Sequence, residues 1–139
     1  MRAFQSLNRG RLTVLGLLVA LVATVGSLNF SLGMGLVPCR LCWYQRILMY
    51  PQVVILGAAL TTEVPLRRVA LPLSVLGTGI AAYHSVIQIV GGGSCGVFAC
   101  STVQYLFAGV ATIPNMSLAA FLALGVLEWT IDGEWTMVG

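Results

Sequence analysis

Leu12 to Leu36 reads "LTVLGLLVALVATVGSLNFSLGMGL", 25 residues without one charge. A helix rising about 1.5 Å per residue crosses a bilayer core with about 20 apolar residues, so this run is long enough to span. The rest of the chain suits the same solvent. Of 139 residues, 58% are hydrophobic and 8% charged, and the mean hydropathy is +0.96. Soluble domains carry roughly 25% charged residues, so this chain lacks the charge to clothe a soluble domain of its size. The net charge of +3, with Arg the only base, is too small a surplus to indicate a nucleic-acid partner.

Working outward, three more segments are long and apolar enough, or nearly so. The first helix is expected at about 12–36, the second at 43–61, the third at 69–90 and a shorter fourth at 117–131. Pro51 and Pro72 are tolerated in lipid-embedded helices, Pro51 with a kink, and Gly77 and Gly79 suit close helix packing. "GGG" at Gly91–Gly93 ends the third. The expected fold is all-α: one integral membrane domain, 1–139, built as a four-helix bundle. An N-terminal cleaved signal peptide is the competing reading, but the apolar run continues to Pro38, well past a usual signal core.

Charge sets the orientation. Arg2, Arg9 and Arg11 precede the first helix, and Arg67 and Arg68 lie between the second and third. Short loops rich in Lys or Arg mark the cytoplasmic side. Both termini are therefore expected in the cytoplasm, with the loops at about 37–42 and 91–116 outside it, in a multi-pass protein of the cell (inner or plasma) membrane. Arg40 and Arg46 dissent, and need a reason of their own. The C-terminal "EWTIDGEWTMVG", with Glu128, Asp132 and Glu134, reads as a solvated cytoplasmic tail.

Both outer loops carry cysteine pairs, Cys39/Cys42 in "PCRLCWYQR" and Cys95/Cys100 in "SCGVFAC". Which cysteine bonds to which is not decided by spacing. If the second helix begins at Pro38, Cys39 and Cys42 share one face at its N-terminus, where unpaired N–H groups and the helix dipole favour thiolate. Arg46, four residues after Cys42, lies on the same face and is available to a Cys42 thiolate or an anion beside it. Snorkelling to headgroups is the plainer reading of Arg46, and interfacial anchoring that of Trp43 and Tyr44. An ion in or near the membrane is expensive, which favours a functional role for Arg46.

His84, the single histidine, lies at a depth similar to Arg46, with Gln88 one turn above it on the same face. A shared polar pocket is the expectation, against the alternative of a packed histidine bonded to a neighbouring helix. Cys95/Cys100 could be a structural disulfide. Zinc held by all four cysteines is disfavoured, because an outward, oxidising face does not keep four thiolates; no metal is expected. After this pair, "STVQYLFAGVATIP" is too broken to span and could lie along the interface. Two outward dithiols plus a polar pocket in lipid imply a two-electron path to a lipid-soluble acceptor, which composition alone does not name.

With "PCRLCWYQR", "YHSVIQ", the second cysteine pair and "IPNMS" in this order, the sequence resembles the DsbB family, the membrane disulfide bond formation protein B, which includes shorter BdbC-type members. The first motif is specific; the others are weak singly. The resemblance implies a quinone-dependent thiol oxidase that reoxidises an extracytoplasmic thioredoxin-like (DsbA-type) oxidase. Carried over by position, Cys95 takes the partner's thiolate, Cys100 exchanges with Cys39, and Cys42 reacts with a ubiquinone- or menaquinone-type acceptor. Arg46 then matches the arginine that assists quinone reduction, and His84 and Gln88 fall at quinone-neighbouring positions. One departure is the four-residue gap between Cys95 and Cys100, much shorter than in the best-known members, which leaves the order of exchange less secure than the cysteines. The quinone-linked epoxide reductases are less similar, since their active CxxC comes late in the bundle. Outside this reading stand a small structural membrane protein with two inert disulfides and an ion-conducting subunit, the latter expecting more intramembrane polar groups.

Overall fold

The computed structural model describes residues 2–36, 38–90, 106–109 and 111–136. Helix α1 runs Arg2–Leu28 and continues as a π-helical turn, Asn29–Gly33. In lipid every backbone polar group must be satisfied within its own segment, so uncharged runs of this length form helix whatever their side-chain propensities. The turn closes with Met34 N–H on Asn29 O at 3.0 Å, and Gly35 ends it at φ +67°, a left-handed conformation suited to glycine.

Helix α2 is Arg40–Ala59, with Pro51 inside it. Its start differs from the expected helix-initial Pro38. Cys39 is the N-cap, extended at φ −73° and ψ 172°, and its Sγ accepts the N–H of Cys42 at 3.4 Å. The sulfur thus does what an N-cap oxygen usually does, satisfying an orphan donor of the first turn.

A single turn, α3 (Leu66–Val69), leads through Ala70 into α4 (Leu71–Val90). The break has a covalent cause: Pro72 has no N–H to bond the carbonyl four residues back. Short strands β1 (Leu106–Phe107) and β2 (Ala111–Thr112) pair antiparallel, Leu106 opposite Thr112, through left-handed Ala108 and Gly109. Helix α5, Ile113–Thr136, takes in both "IPNMS" and most of the expected tail.

Helix α5 packs along α1 and α4, and α2 packs against α1 and α4. At Gly77 of α4 the buried Phe121 ring occupies the space that a Cβ would need. Leu56, Leu66, Phe121, Leu124 and Ile131 form the centre of the apolar core. At one end of the bundle Arg9 pairs with Glu63 at 2.7 Å and Arg67 lies over the Trp129 ring, 3.9 Å from its centroid. Cys39, Cys42 and the end of α4 belong to the opposite end.

The molecule is apolar outside and partly polar inside. Val22, Leu32, Val54 and Ile89 are exposed, while Gln45, Gln52, Ser74, His84 and Glu128 are buried. Water-soluble proteins have the reverse. Three helices are long and apolar enough to cross a membrane, over Ser6–Gly33, Leu71–Val90 and Ile113–Ile131. Helix α2 matches α4 in length at 20 residues, but Gln45, Arg46 and Gln52 make it less apolar. Three candidate spans and a fourth helix packed beside them make this a helical, multi-pass membrane protein.

Candidate active site

The N-terminus of α2 brings the first cysteine pair into contact: Cys39 Sγ and Cys42 Sγ are 2.9 Å apart. The two sulfurs meet different surroundings. Cys39 is buried, and its Sγ lies 3.8 Å from His84 Nε2. The other ring nitrogen, Nδ1, is 3.2 Å from the amide of Gln45. Gln45 and His84 are both buried, so the imidazole is clamped between one amide and one sulfur. With the Gln45 NH₂ donating to Nδ1, the ring presents N–H to sulfur; with the amide turned, Nδ1–H donates and Nε2 presents a lone pair to the thiol. Either arrangement lets His84 hold or move a proton at Cys39.

Cys42 also lines a cavity of about 420 Å³ between α1, α2 and the start of α5. Its walls are mostly apolar, including Val22, Phe30, Met49 and Met116, and Gln45 and Arg46 supply polar atoms. That size and lining match small-molecule pockets, which are largely apolar with few placed polar groups. The Arg46 guanidinium is fixed against α1: Nε donates to Ser27 Oγ at 2.9 Å, Nη2 to Ser27 O at 2.9 Å, and Nη2 also to Ser31 Oγ. Trp43 covers it, with the ring centroid 5.5 Å from Cζ. Ser31 belongs to the π-turn, and such turns recur where a helix must re-aim side chains at a site. A guanidinium fixed by three acceptors neither drifts to solvent nor needs to reorganise when negative charge develops beside it.

The sequence-level candidates therefore separate. Arg46 lines the cavity with Cys42, whereas His84 and Gln88 are not among its lining residues. The expected shared pocket for Arg46 and His84 is replaced by two neighbouring sites, with Gln45 touching both. Depth along a helix axis is readable from residue counts, but rotation about it is not, and rotation turns His84 to Cys39. Cys95 and Cys100 lie outside the described residues.

Gln45, Ser27 and Ser31 were missed in the sequence. Their signals were present: Gln45 adjoins Arg46 in the motif, and the serines stand at i and i+4 in an otherwise apolar run. A second polar layer was also missed. Gln52 Nε2 donates to Ser74 Oγ at 3.0 Å, and Ser74 Oγ donates to Glu128 Oε2 at 2.8 Å. Glu128 is thus fully buried in the bundle rather than part of a solvated tail. The interior holds more polar groups than the sequence reading allowed.

The comparisons with known proteins bear on residues throughout this arrangement. The model of the family "Disulfide bond formation protein DsbB" matches residues 9–131, from the arginine paired with Glu63 to the core residue Ile131. The chain belongs to the DsbB family. Disulfide bond formation protein C of Bacillus subtilis is 40% identical, covering 84% of this chain and 88% of its own. A probable disulfide formation protein of Oceanobacillus iheyensis is 40% identical over 83% of this chain and 84% of its own, and one of Deinococcus radiodurans 40% identical over 88% and 90%. No solved structure matches. The chain covers 84–90% of the length of these relatives, so the likeness to the DsbB-family model extends to proteins matched along most of their sequence.

Proposed function

We propose that the chain is a membrane dithiol:quinone oxidoreductase that reoxidises an extracytoplasmic thioredoxin-like dithiol oxidase. One observation carries the reading: Cys42 and a rigidly held Arg46 line the same apolar cavity, while Cys39 lies 2.9 Å from Cys42 on its buried side. The residues present fit a quinone head group, in cavity volume, in apolar walls and in a single fixed cation. When bound there, a quinone supplies a two-electron, two-proton acceptor. Cys42 presents its sulfur to the cavity, Arg46 stabilises negative charge arising there, and the apolar walls exclude water, which strengthens that attraction.

His84 handles the proton at Cys39 Sγ during thiol exchange, and Gln45 holds the imidazole in place. That role replaces quinone contact for His84; Gln88 remains a neighbour on α4 without a wall position. By the family pattern, the partner's thiolate attacks Cys95, Cys100 exchanges with Cys39, and the electrons leave from Cys42. Arg67 and Arg68 at the opposite end from the cysteines favour an orientation with the cysteine end and its loops outside the cytoplasm. A scaffold with inert disulfides gives no reason for a fixed guanidinium on an apolar cavity beside Cys42, which favours the oxidase.

The test uses purified protein in detergent with a reduced thioredoxin-like partner and a quinone analogue, following quinone absorbance. Multiple turnovers that require both thiol substrate and quinone support the reading. Partner oxidation that proceeds at an unchanged rate without quinone refutes it.

A further inference from the structure

The contact between His84 and the cysteine pair has a consequence beyond thiol exchange. Cys39 Sγ, Cys42 Sγ and one ring nitrogen of His84 all lie within 4.8 Å of one another. Two sulfurs and an imidazole converging from α4 and the start of α2 are a metal-ligand set. We propose that, when Cys39 and Cys42 are reduced, these three residues bind a divalent thiophilic cation of the zinc class, and that the ion holds the pair out of turnover.

The geometry is close to what such an ion needs. With Zn–S near 2.3 Å and Zn–N near 2.05 Å, tetrahedral angles put two sulfurs about 3.8 Å apart and a sulfur and nitrogen about 3.6 Å apart. The Cys39 Sγ to His84 Nε2 distance is 3.8 Å, within 0.2–0.3 Å of that second value. The sulfurs, now 2.9 Å apart, must spread by roughly 0.9 Å, which side-chain rotation at the first turn of α2 supplies.

Charge selects the class of ion. Two thiolates and a neutral imidazole leave a divalent ion electroneutral, the arrangement least penalised in a low-dielectric bundle. Monovalent copper in the same ligands would leave one negative charge. Hard cations such as calcium and magnesium require oxygen ligands, and among the described residues no carboxylate joins this cluster. Soft thiolate with imidazole suits zinc and its congeners. The fourth position is left to water or a small ligand, and Cys42 lines a cavity that can hold one.

The outer partner is also in place. Gln45 stands 3.2 Å from Nδ1, and with its carbonyl turned inward it accepts Nδ1–H and leaves the Nε2 lone pair for the metal. Binding displaces two thiol protons and transfers no electrons; a disulfide has no thiolate to offer, so the oxidised pair is excluded. The site needs neither Cys95 nor Cys100 and is independent of what accepts electrons in turnover.

The experiment titrates Co²⁺ into the anaerobic, reduced full-length protein carrying Cys95→Ser and Cys100→Ser. Thiolate-to-cobalt charge-transfer absorption at one ion per chain, with intense visible bands of tetrahedral cobalt, is expected, and Zn²⁺ should displace it. Gln45→Ala should weaken binding by about 10–100-fold, and His84→Ala by more than that. The same protein with Cys39 and Cys42 oxidised should show no bands. Should His84→Ala fail to fold, Zn²⁺ protection of Cys39 and Cys42 against alkylation, weakened in Gln45→Ala, reports on the same site. Absence of bands in the reduced protein, equal affinity without His84, or equal binding to the oxidised pair would overturn the proposal.

Discussion

Replacing Arg46 with alanine should separate the two half-reactions of the proposed cycle. Side chains four apart on a helix have Cβ atoms about 5–6 Å apart, and Cys42 and Arg46 line one cavity. A unit charge about 6 Å from a developing anion, at an effective dielectric of about 20, contributes about 2.8 kcal/mol. That corresponds to roughly a 100-fold loss in the rate of quinone reduction. Arg46→Lys keeps the charge but not the fork that reaches Ser27 Oγ, Ser27 O and Ser31 together, and should lose about tenfold. The assay is single-turnover stopped flow. Pre-reduced protein is mixed with a quinone analogue and followed by quinone absorbance, and oxidised protein is separately mixed with a small dithiol and followed by thiol appearance. The first rate should fall more than the second, since attack on Cys39 also releases a Cys42 thiolate within reach of the guanidinium but develops no charge on an acceptor. An equal loss in both, or a quinone rate within about threefold of the parent, refutes the assignment of Arg46.

His84→Ala should do the opposite, slowing reduction of the Cys39/Cys42 pair by a small dithiol by about 100-fold while changing the quinone step less than about threefold. Cys95→Ser should abolish oxidation of the thioredoxin-like partner yet leave the first pair reducible by a small dithiol, and an unimpaired partner rate would remove Cys95 from the path. Gly77→Ala should destabilise the bundle by about 1–3 kcal/mol in reversible detergent unfolding, because the new methyl meets the Phe121 ring. Gly79→Ala, with nothing within 4 Å, should change it by less than about 0.5 kcal/mol. Glu128→Gln retains an acceptor for Ser74 and should stay within about 1 kcal/mol of the parent, whereas Glu128→Leu leaves the Ser74 hydroxyl without it and should lose about 1–3 kcal/mol by the same measurement.

The helices were legible because lipid leaves a long uncharged run no alternative to helix. Their ends were not, and each miss has a local cause. The π-turn after Leu28 reflects how Ser27 and Ser31 hold Arg46, a long-range demand on a stretch with no distinctive composition. Pro38 is a good helix starter, but the Cys39 sulfur caps the helix one residue later. The bound of α5 was misread at Glu128, because an acid near a chain end ordinarily marks water. Its partner Ser74 lies 54 positions away on another helix, and that residue pairs with Gln52, 22 positions away, so no local pattern announces the network. At the site, the motif Cys39–Cys42–Arg46 was visible as a unit because all three residues sit within two turns of one helix. Gln45 escaped notice beside them, since its importance comes from His84, which only the packing of α4 on α2 brings near.

The proposed chemistry follows from how a capping residue and a helical residue bring their sulfurs together while Cys42 lines the cavity. Cys39, extended at the N-cap, turns its sulfur inward to an imidazole; Cys42, in the first turn, has its side chain on the cavity wall. Had both residues lain inside the helix, they would share one face and one environment. In the proposed cycle, exchange needs a base beside Cys39 to take the proton of the incoming thiol as it attacks that sulfur, and reduction of an acceptor needs a cation and a dry cavity beside Cys42, the sulfur that donates. A single environment serves neither demand well, since a base must give and take a proton at the sulfur while a guanidinium offers only a permanent charge. Gln45 contacts His84 and also lines the cavity with Arg46, so a neutral amide joins the two surroundings. In that cycle, electrons passing from Cys39 to Cys42 cross 2.9 Å from the sulfur beside His84 to the sulfur beside the cavity.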